Sequence, residues 1–341
     1  MATKCKLCDL NEATQKNSHI IPSFIVSSIF SYDGSGKRDK EVMVTMTSHL
    51  DKFYIGALPS TKIEELFDSS KLTDERISNE LSKNPMSKDY IFCPNCEKKI
   101  SKYIETPYAE SLYKNKDVDK FISFYFWLSV VWRLSLTGIL NFRLSSDIED
   151  KLGKSLNEYL SAIDRDANAN ISLMNTPFKY KILYYAEYKP NEPALFYVKY
   201  VADNNLLILL LGKFVICAKF DDTEIFAEFN FLGLEEKIKN SPFNNGENRE
   251  CMVKVESEEY NLAIIKFKEE CKVKKLQSEK DYADKYWGLL RKGEKMPEEI
   301  FLHFMNKLYS NDTNIGDKMT EQRYFEKLKE TFNDFGLVEE Q

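Results

Sequence analysis

Cys5-Lys6-Leu7-Cys8 and Cys93-Pro94-Asn95-Cys96 are two CxxC turns, and their reading decides how the first third of the chain folds. Thiolates at this spacing grip one side of an ion from a tight turn, and two such turns complete the tetrahedron of a structural zinc site. Four cysteines close the site and leave no position for water, so Zn2+ is expected to hold the fold and not to carry a reaction. No thioredoxin-like βαβ pattern surrounds either pair, which argues against redox-active motifs. The other three cysteines, Cys217, Cys251 and Cys271, are scattered singly. That usage fits a reducing compartment, not a secreted disulfide framework.

Working outward, Ser18-His19-Ile20-Ile21-Pro22 follows the first turn and leads into a short helix to Phe30. Residues 31–40 read as a loop and 41–46 (EVMVTM) as β-prone. Residues 60–83 have helical spacing through Ile63, Leu66 and Phe67, ended by Asn84-Pro85. From Glu97 the run EKKISKYIETPYAESLYKN predicts a helix with Ile100, Tyr103 and Ile104 on one face, kinked at Pro107. Phe121 to Trp132 carries no charge, but Arg133 would lie near mid-membrane in any span extended through LSLTGILNF, so a buried core helix is expected. Trp127, Trp132 and Arg133 read as core, with Arg133 paired to a carboxylate. An amphipathic helix continues the chain to residue 163, and DANAN (166–170) is a polar break.

Four runs then become strand-like: 178–185, Leu206 to Phe220, 195–201 between them, and Glu224 to Phe231. Turn signals at Pro190-Asn191, Asp203-Asn204-Asn205 and Asp221-Asp222 separate them, which predicts an antiparallel sheet. Asn240 to Glu250 reads as a mobile loop, and charged helices resume at residue 257.

With 43% hydrophobic residues, 23 Phe and 19 Tyr, the chain can bury a sizeable core. Its net charge of -6 argues against a protein that coats nucleic acid by charge alone. Residues 1–115 hold 16 basic and 16 acidic side chains, so the acidity lies in the remainder and the cysteine-bearing part is better suited to face phosphates. Lys98, Lys99 and Lys102 could touch a nucleic-acid backbone, although a solvated helix face is the commoner role. Lys4 and Lys6 lead straight into the first turn without a signal-peptide pattern, so a cytoplasmic chain with no membrane association is expected. His49 and His303 read as structural. There is no glycine-rich phosphate loop and no nucleophile elbow.

Cys-x2-Cys, a His-Ile-x-Pro segment, and a second Cys-x2-Cys opening a charged helix resemble the zinc-bearing branch of the HNH nucleases, which have the ββα-metal, treble-clef fold. Residues 5–22, 92–99 and the helix FWLSVVWRLSLTG also resemble a set of bacterial "SHIIP" proteins labelled HNH-like, for which roles in defence against phages or mobile elements are considered. In the nucleases the His of the HIxP segment is the general base, and the residue after the last Cys binds the catalytic divalent ion. The resemblance therefore implies His19 as base, Glu97 as ligand to Mg2+ or Mn2+, and Asn84 as the residue that orients the base. Ser18 stands where the family has a second metal ligand. The implied activity is phosphodiester hydrolysis of nucleic acid, with DNA the first substrate to consider. The alternative is a catalytically inactive, zinc-scaffolded binding or adaptor protein with a protein partner. The expected fold is α+β. Residues 1–115 form a treble-clef zinc module with an insertion and 116–170 a helical segment. An antiparallel β domain covers 171–256, and C-terminal helices cover 257–341.

Overall fold

The structure is a computed structural model that describes residues 3–30, 41–46, 51–56, 86–167, 169, 176–189, 192, 194–221, 231–291, 295–308 and 321–337. Expectations for 31–40, for the helices within 60–83, for His49, for Asn84 and for most of a strand at 224–231 lie outside the described residues. The fold is α+β, and the chain divides into two units. The first holds Met1–Thr45, Asp51–Leu58 and Lys83–Phe267, and the second holds Met46–Leu50, Pro59–Ser82 and Lys268–Gln341.

The first unit is organised on a seven-stranded sheet. Its strands are β2 (Glu41–Met46), β3 (Asp51–Gly56), β5 (Lys179–Tyr184), β6 (Ala194–Val201), β7 (Leu206–Leu211), β8 (Phe214–Lys219) and β9 (Met252–Lys254), in the order β2-β3-β6-β7-β8-β5-β9. A separate two-stranded sheet pairs β1 (Ser18–His19) with β4 (Ser87–Lys88). Two features of the large sheet depart from expectation. The run 206–220 is a hairpin and not one strand: Leu211 pairs with Phe214 across Gly212 and Lys213. Gly212 has φ +57, a conformation that costs glycine nothing, and this lets an otherwise continuous apolar run reverse. The sheet is also mixed, because β9 adds to β5 in parallel, with Ile182 opposite Met252.

Strands β7 and β8 are buried at every residue, so both faces of the sheet are covered. On one face Phe196, Val198, Leu207, Leu209, Leu211, Phe214, Ile216 and Ala218 join the main core. The helices supplying that core include α1 (Ser23–Phe30), α2 (Pro94–Ile100), α3 (Thr106–Tyr113), α4 (Lys120–Thr137) and α5 (Ser146–Arg165). On the other face Tyr197 meets Phe267 edge-on, with ring centroids 4.9 Å apart, and Tyr260 donates a 2.6 Å hydrogen bond to the Gly212 carbonyl. Both residues come from the start of α7 (Ser257–Arg291), which comes after the short α6 (Glu235–Asn240).

Helix α4 is the apolar stretch of the sequence, buried continuously from Ser123 to Ser135. Asp119 caps it by accepting from the backbone N–H groups of Phe121 (2.9 Å) and Ile122 (3.2 Å), and Gly138 at φ +65 ends it. Among the described residues no helix is long and apolar enough to cross a membrane. The helix expected to kink at Pro107 passes through it by another route. A π-turn, Ser101–Glu105, links α2 to α3, and the Thr106 N–H reaches back to the Ser101 carbonyl. Proline has no N–H to give its own turn, and the wider turn just before it absorbs the misfit. The segment read as a mobile loop, 240–250, is pinned instead: Asn244 and Tyr180 exchange backbone hydrogen bonds of 3.0 and 2.7 Å, and Glu250 reaches the core.

The second unit packs the later part of α7 with α8 (Glu298–Leu308) and α9 (Glu321–Asp334) around Trp287, Met296, Phe301, Phe304, Tyr324 and Phe332. His303 hydrogen-bonds Asp334 at 2.8 Å, joining α8 to α9.

Candidate metal centre

Both cysteine turns are positioned by backbone bonds between them. The Lys6 N–H donates to the Ile91 carbonyl (3.0 Å), the Gln15 N–H to Phe92 (3.0 Å) and the Tyr90 N–H to Gln15 (2.8 Å). Asp9, Asn17 and Tyr90 take positive φ values of 52, 53 and 60, which turn the chain sharply around the cluster. Cys93 is the N-cap of α2, Pro94 occupies the first turn, and the Cys96 N–H points at Cys93 Sγ, 3.5 Å away. The positive end of that helix favours thiolate charge.

The four expected sulfur ligands converge. Sγ of Cys5, Cys8, Cys93 and Cys96 all lie within 4.8 Å of one another, with three of the residues buried and Cys8 partly so. Asn11 Nδ2 lies 3.9 Å from Cys8 Sγ and 3.8 Å from Cys93 Sγ, a second ring of support that sequence reading missed. The Cys96 thiol hydrogen-bonds Cys5 and pulls the Cys5 thiol down to about 4, while that same bond and burial push Cys96 up. A divalent ion lets all four ionise, and soft, closed S4 coordination suits zinc.

Next to this cluster the structure gathers His19, Ser18 and Glu97. The strand pairing sets Ser18 opposite Lys88 and His19 opposite Ser87, directly ahead of the second cysteine turn. Glu97, one residue past Cys96, turns inward. Burial raises its carboxyl above the usual range, the Arg133 guanidinium pulls the other way, and the Ser18 hydroxyl and His19 backbone also favour the charged form. Glu97 Oε2 and Ser18 Oγ are both buried, and the Ser18 hydroxyl lies near the Glu97 carboxyl, short of full hydrogen-bond geometry. His19 is partly exposed, and its carbonyl accepts from Arg133 Nη1 at 2.6 Å. Arg133 is buried and also pairs with Glu105 Oε1 at 2.8 Å.

The lysines after Glu97 are mostly committed elsewhere. Lys99 pairs with Asp164 at 2.9 Å, and Lys102 donates to the Tyr103 hydroxyl at 2.8 Å. Only the four cysteines form a set of three or more His, Cys, Asp or Glu ligands among the described residues, so Glu97 belongs to no such set, although the Glu105 carboxylate is near enough to oppose its charge.

A second polar centre was not legible in the sequence. Glu250 accepts from the Tyr180 hydroxyl (2.5 Å) and Trp127 Nε1 (3.1 Å) on Oε1, and from the Tyr108 hydroxyl (3.2 Å) on Oε2. Burial pushes its carboxyl up to about 7, against the lowering effect of these three donors. No protein-family model, curated protein or solved structure matches the chain.

Proposed function

We propose that the N-terminal zinc module is an HNH-like hydrolytic centre acting on phosphodiester bonds of nucleic acid. The observation that carries this reading is that the buried side chains of Ser18 and Glu97 meet beside the His19 backbone. These are the two positions to which the resemblance assigns the divalent ion. The order of elements supports it: a cysteine turn, the antiparallel β1–β4 pair, and a helix opened by the second cysteine turn succeed one another as in a treble clef.

In this reading His19 is the general base. An imidazole is a suitable group to take a proton from water, and the partly exposed His19 is open to solvent. Zinc, held by the four cysteines, fixes β1 against the start of α2. Ser18 and Glu97 offer hard oxygen donors suited to Mg2+ or Mn2+, an ion that stabilises the charge developing on phosphate. Plasmid nicking and cleavage of labelled RNA with either ion test this. His19→Ala should abolish cleavage with one zinc per chain retained. Loss of zinc in that variant, or no cleavage of either substrate by the wild type, overturns it.

One observation favours a second reading, a zinc-scaffolded binding protein. Arg133 already brings a positive charge to the carboxyl that would hold the ion. Such a protein would retard nucleic acid or a protein partner in a binding assay without cleaving it.

A further inference from the structure

The guanidinium of Arg133 makes four hydrogen bonds in the interior of the first unit. Nη1 donates to the His19 carbonyl (2.6 Å) and to Glu105 Oε1 (2.8 Å). Nη2 donates to Ser129 Oγ (3.0 Å) and Nε to the Ser129 carbonyl (3.2 Å). The residue is only 1% exposed. Burying an ion pair gains little over well-packed apolar side chains, so stability alone is a poor reason for an arginine at this depth. Its use lies in geometry, because the planar fork fixes several acceptors at once. One of those acceptors is the peptide that carries the His19 imidazole.

Glu105 is placed by the π-turn. The turn ends at Glu105, and one extra residue in the helix rotates the next turns relative to a regular α-helix. Its carboxylate lies against the guanidinium, which is held from behind by Ser129 on the same helix as Arg133. Helix α4, backed by the π-turn through Glu105, thus braces the short strand that presents the histidine.

We infer that Arg133, braced by Glu105 and Ser129, is a positioning residue that fixes the orientation of His19 through its backbone carbonyl. The inference rests on the hydrolytic reading for its purpose but not for its detection. The chain has three histidines, so ring resonances of histidine-labelled protein are assignable by comparison with His19→Ala. In Arg133→Lys, which keeps the charge and loses the fork, the His19 ring resonances should shift or broaden while zinc stays at one per chain. Cleavage should show a fall in kcat of about ten- to a hundredfold with KM held within about twofold, the signature of a misplaced reacting group. Glu105→Gln should give the same effects more weakly, and it decides the matter if the arginine variant fails to fold. Unmoved His19 resonances in both variants overturn the inference. If the wild type cleaves nothing, the hydrolytic reading falls, and the resonances alone decide the role of Arg133.

Discussion

Replacing Glu250 with glutamine should flatten the fall in stability that the wild type shows as pH rises toward about 7. The carboxyl is pushed up from 4.5 to about 7 by burial in the folded chain. A group whose folded value is raised contributes stability that is fully present below its unfolded value, and that stability is lost as pH rises through the folded one. Between 4.5 and about 7 the unfolded chain ionises and the folded chain resists. The slope there approaches about 1.4 kcal/mol per pH unit and vanishes above the folded value. From pH 6 to 8.5 this group alone should cost the wild type about 1.4 kcal/mol. The shifts of Tyr108 and Tyr180, which face the carboxyl, are both upward from 10.0 and so lie outside the window. Glutamine mimics the protonated acid. Its carbonyl oxygen can accept from Tyr180 and Trp127, and its NH2 can face the Tyr108 hydroxyl. Urea unfolding of zinc-loaded protein at fixed pH values between 6 and 8.5 measures the effect. The gap between Glu250→Gln and wild type should grow by about 1.4 kcal/mol in favour of the variant across that range. A gap that stays constant would refute the reasoning, because it would mean that Glu250 titrates alike in folded and unfolded chains.

Two further outcomes concern stability. Cys96→Ser should lose stoichiometric zinc by metal analysis and unfold the first unit, since structural zinc contributes on the order of 10 kcal/mol to small sites of this kind. Retention of one tightly held zinc by that variant would argue against four-cysteine ligation. Gly153→Ala should be destabilising by about 1–3 kcal/mol in thermal or urea unfolding despite alanine's better helix propensity. A Cβ at Gly153 would sit 3.0 Å from the Trp132 indole, which is itself buried and has little room to retreat.

Much of the fold was readable because its signals are local. CxxC spacing brings four sulfurs together where they could hold one ion, and the uncharged run before Arg133 reads as a core helix because one charge at its centre disfavours a membrane span. Strands β5, β6, β7 and β8 are marked by alternating or continuous apolar runs bounded by turn residues. The features that escaped were set by tertiary contact. Gly212 looked like one small residue in an apolar run, and only pairing of Leu211 with Phe214 makes it a reversal. Glu250, at the edge of a polar stretch, looked like a loop residue, and its donors lie far away in sequence at 108, 127 and 180. Glu105 carried no signal either, because the π-turn that aims it has no simple period. For the candidate site, only the family resemblance pointed to His19 and Glu97, whereas Asn11 and the brace through Arg133 needed coordinates.

Strands β2 and β3 arise from the segment inserted between the histidine and the second cysteine turn, yet β3 pairs with β6 from the middle of the chain, with Phe53 opposite Tyr197. The polypeptide is therefore interlaced, and no single cut separates the metal-bearing portion from the sheet. A fragment ending near residue 115 would keep β2 beside β3 but strip β3 of β6, leaving an open edge prone to aggregate, while the remainder would lack one flank of its sheet. Chimeras and truncations should respect that weave and exchange the first unit whole.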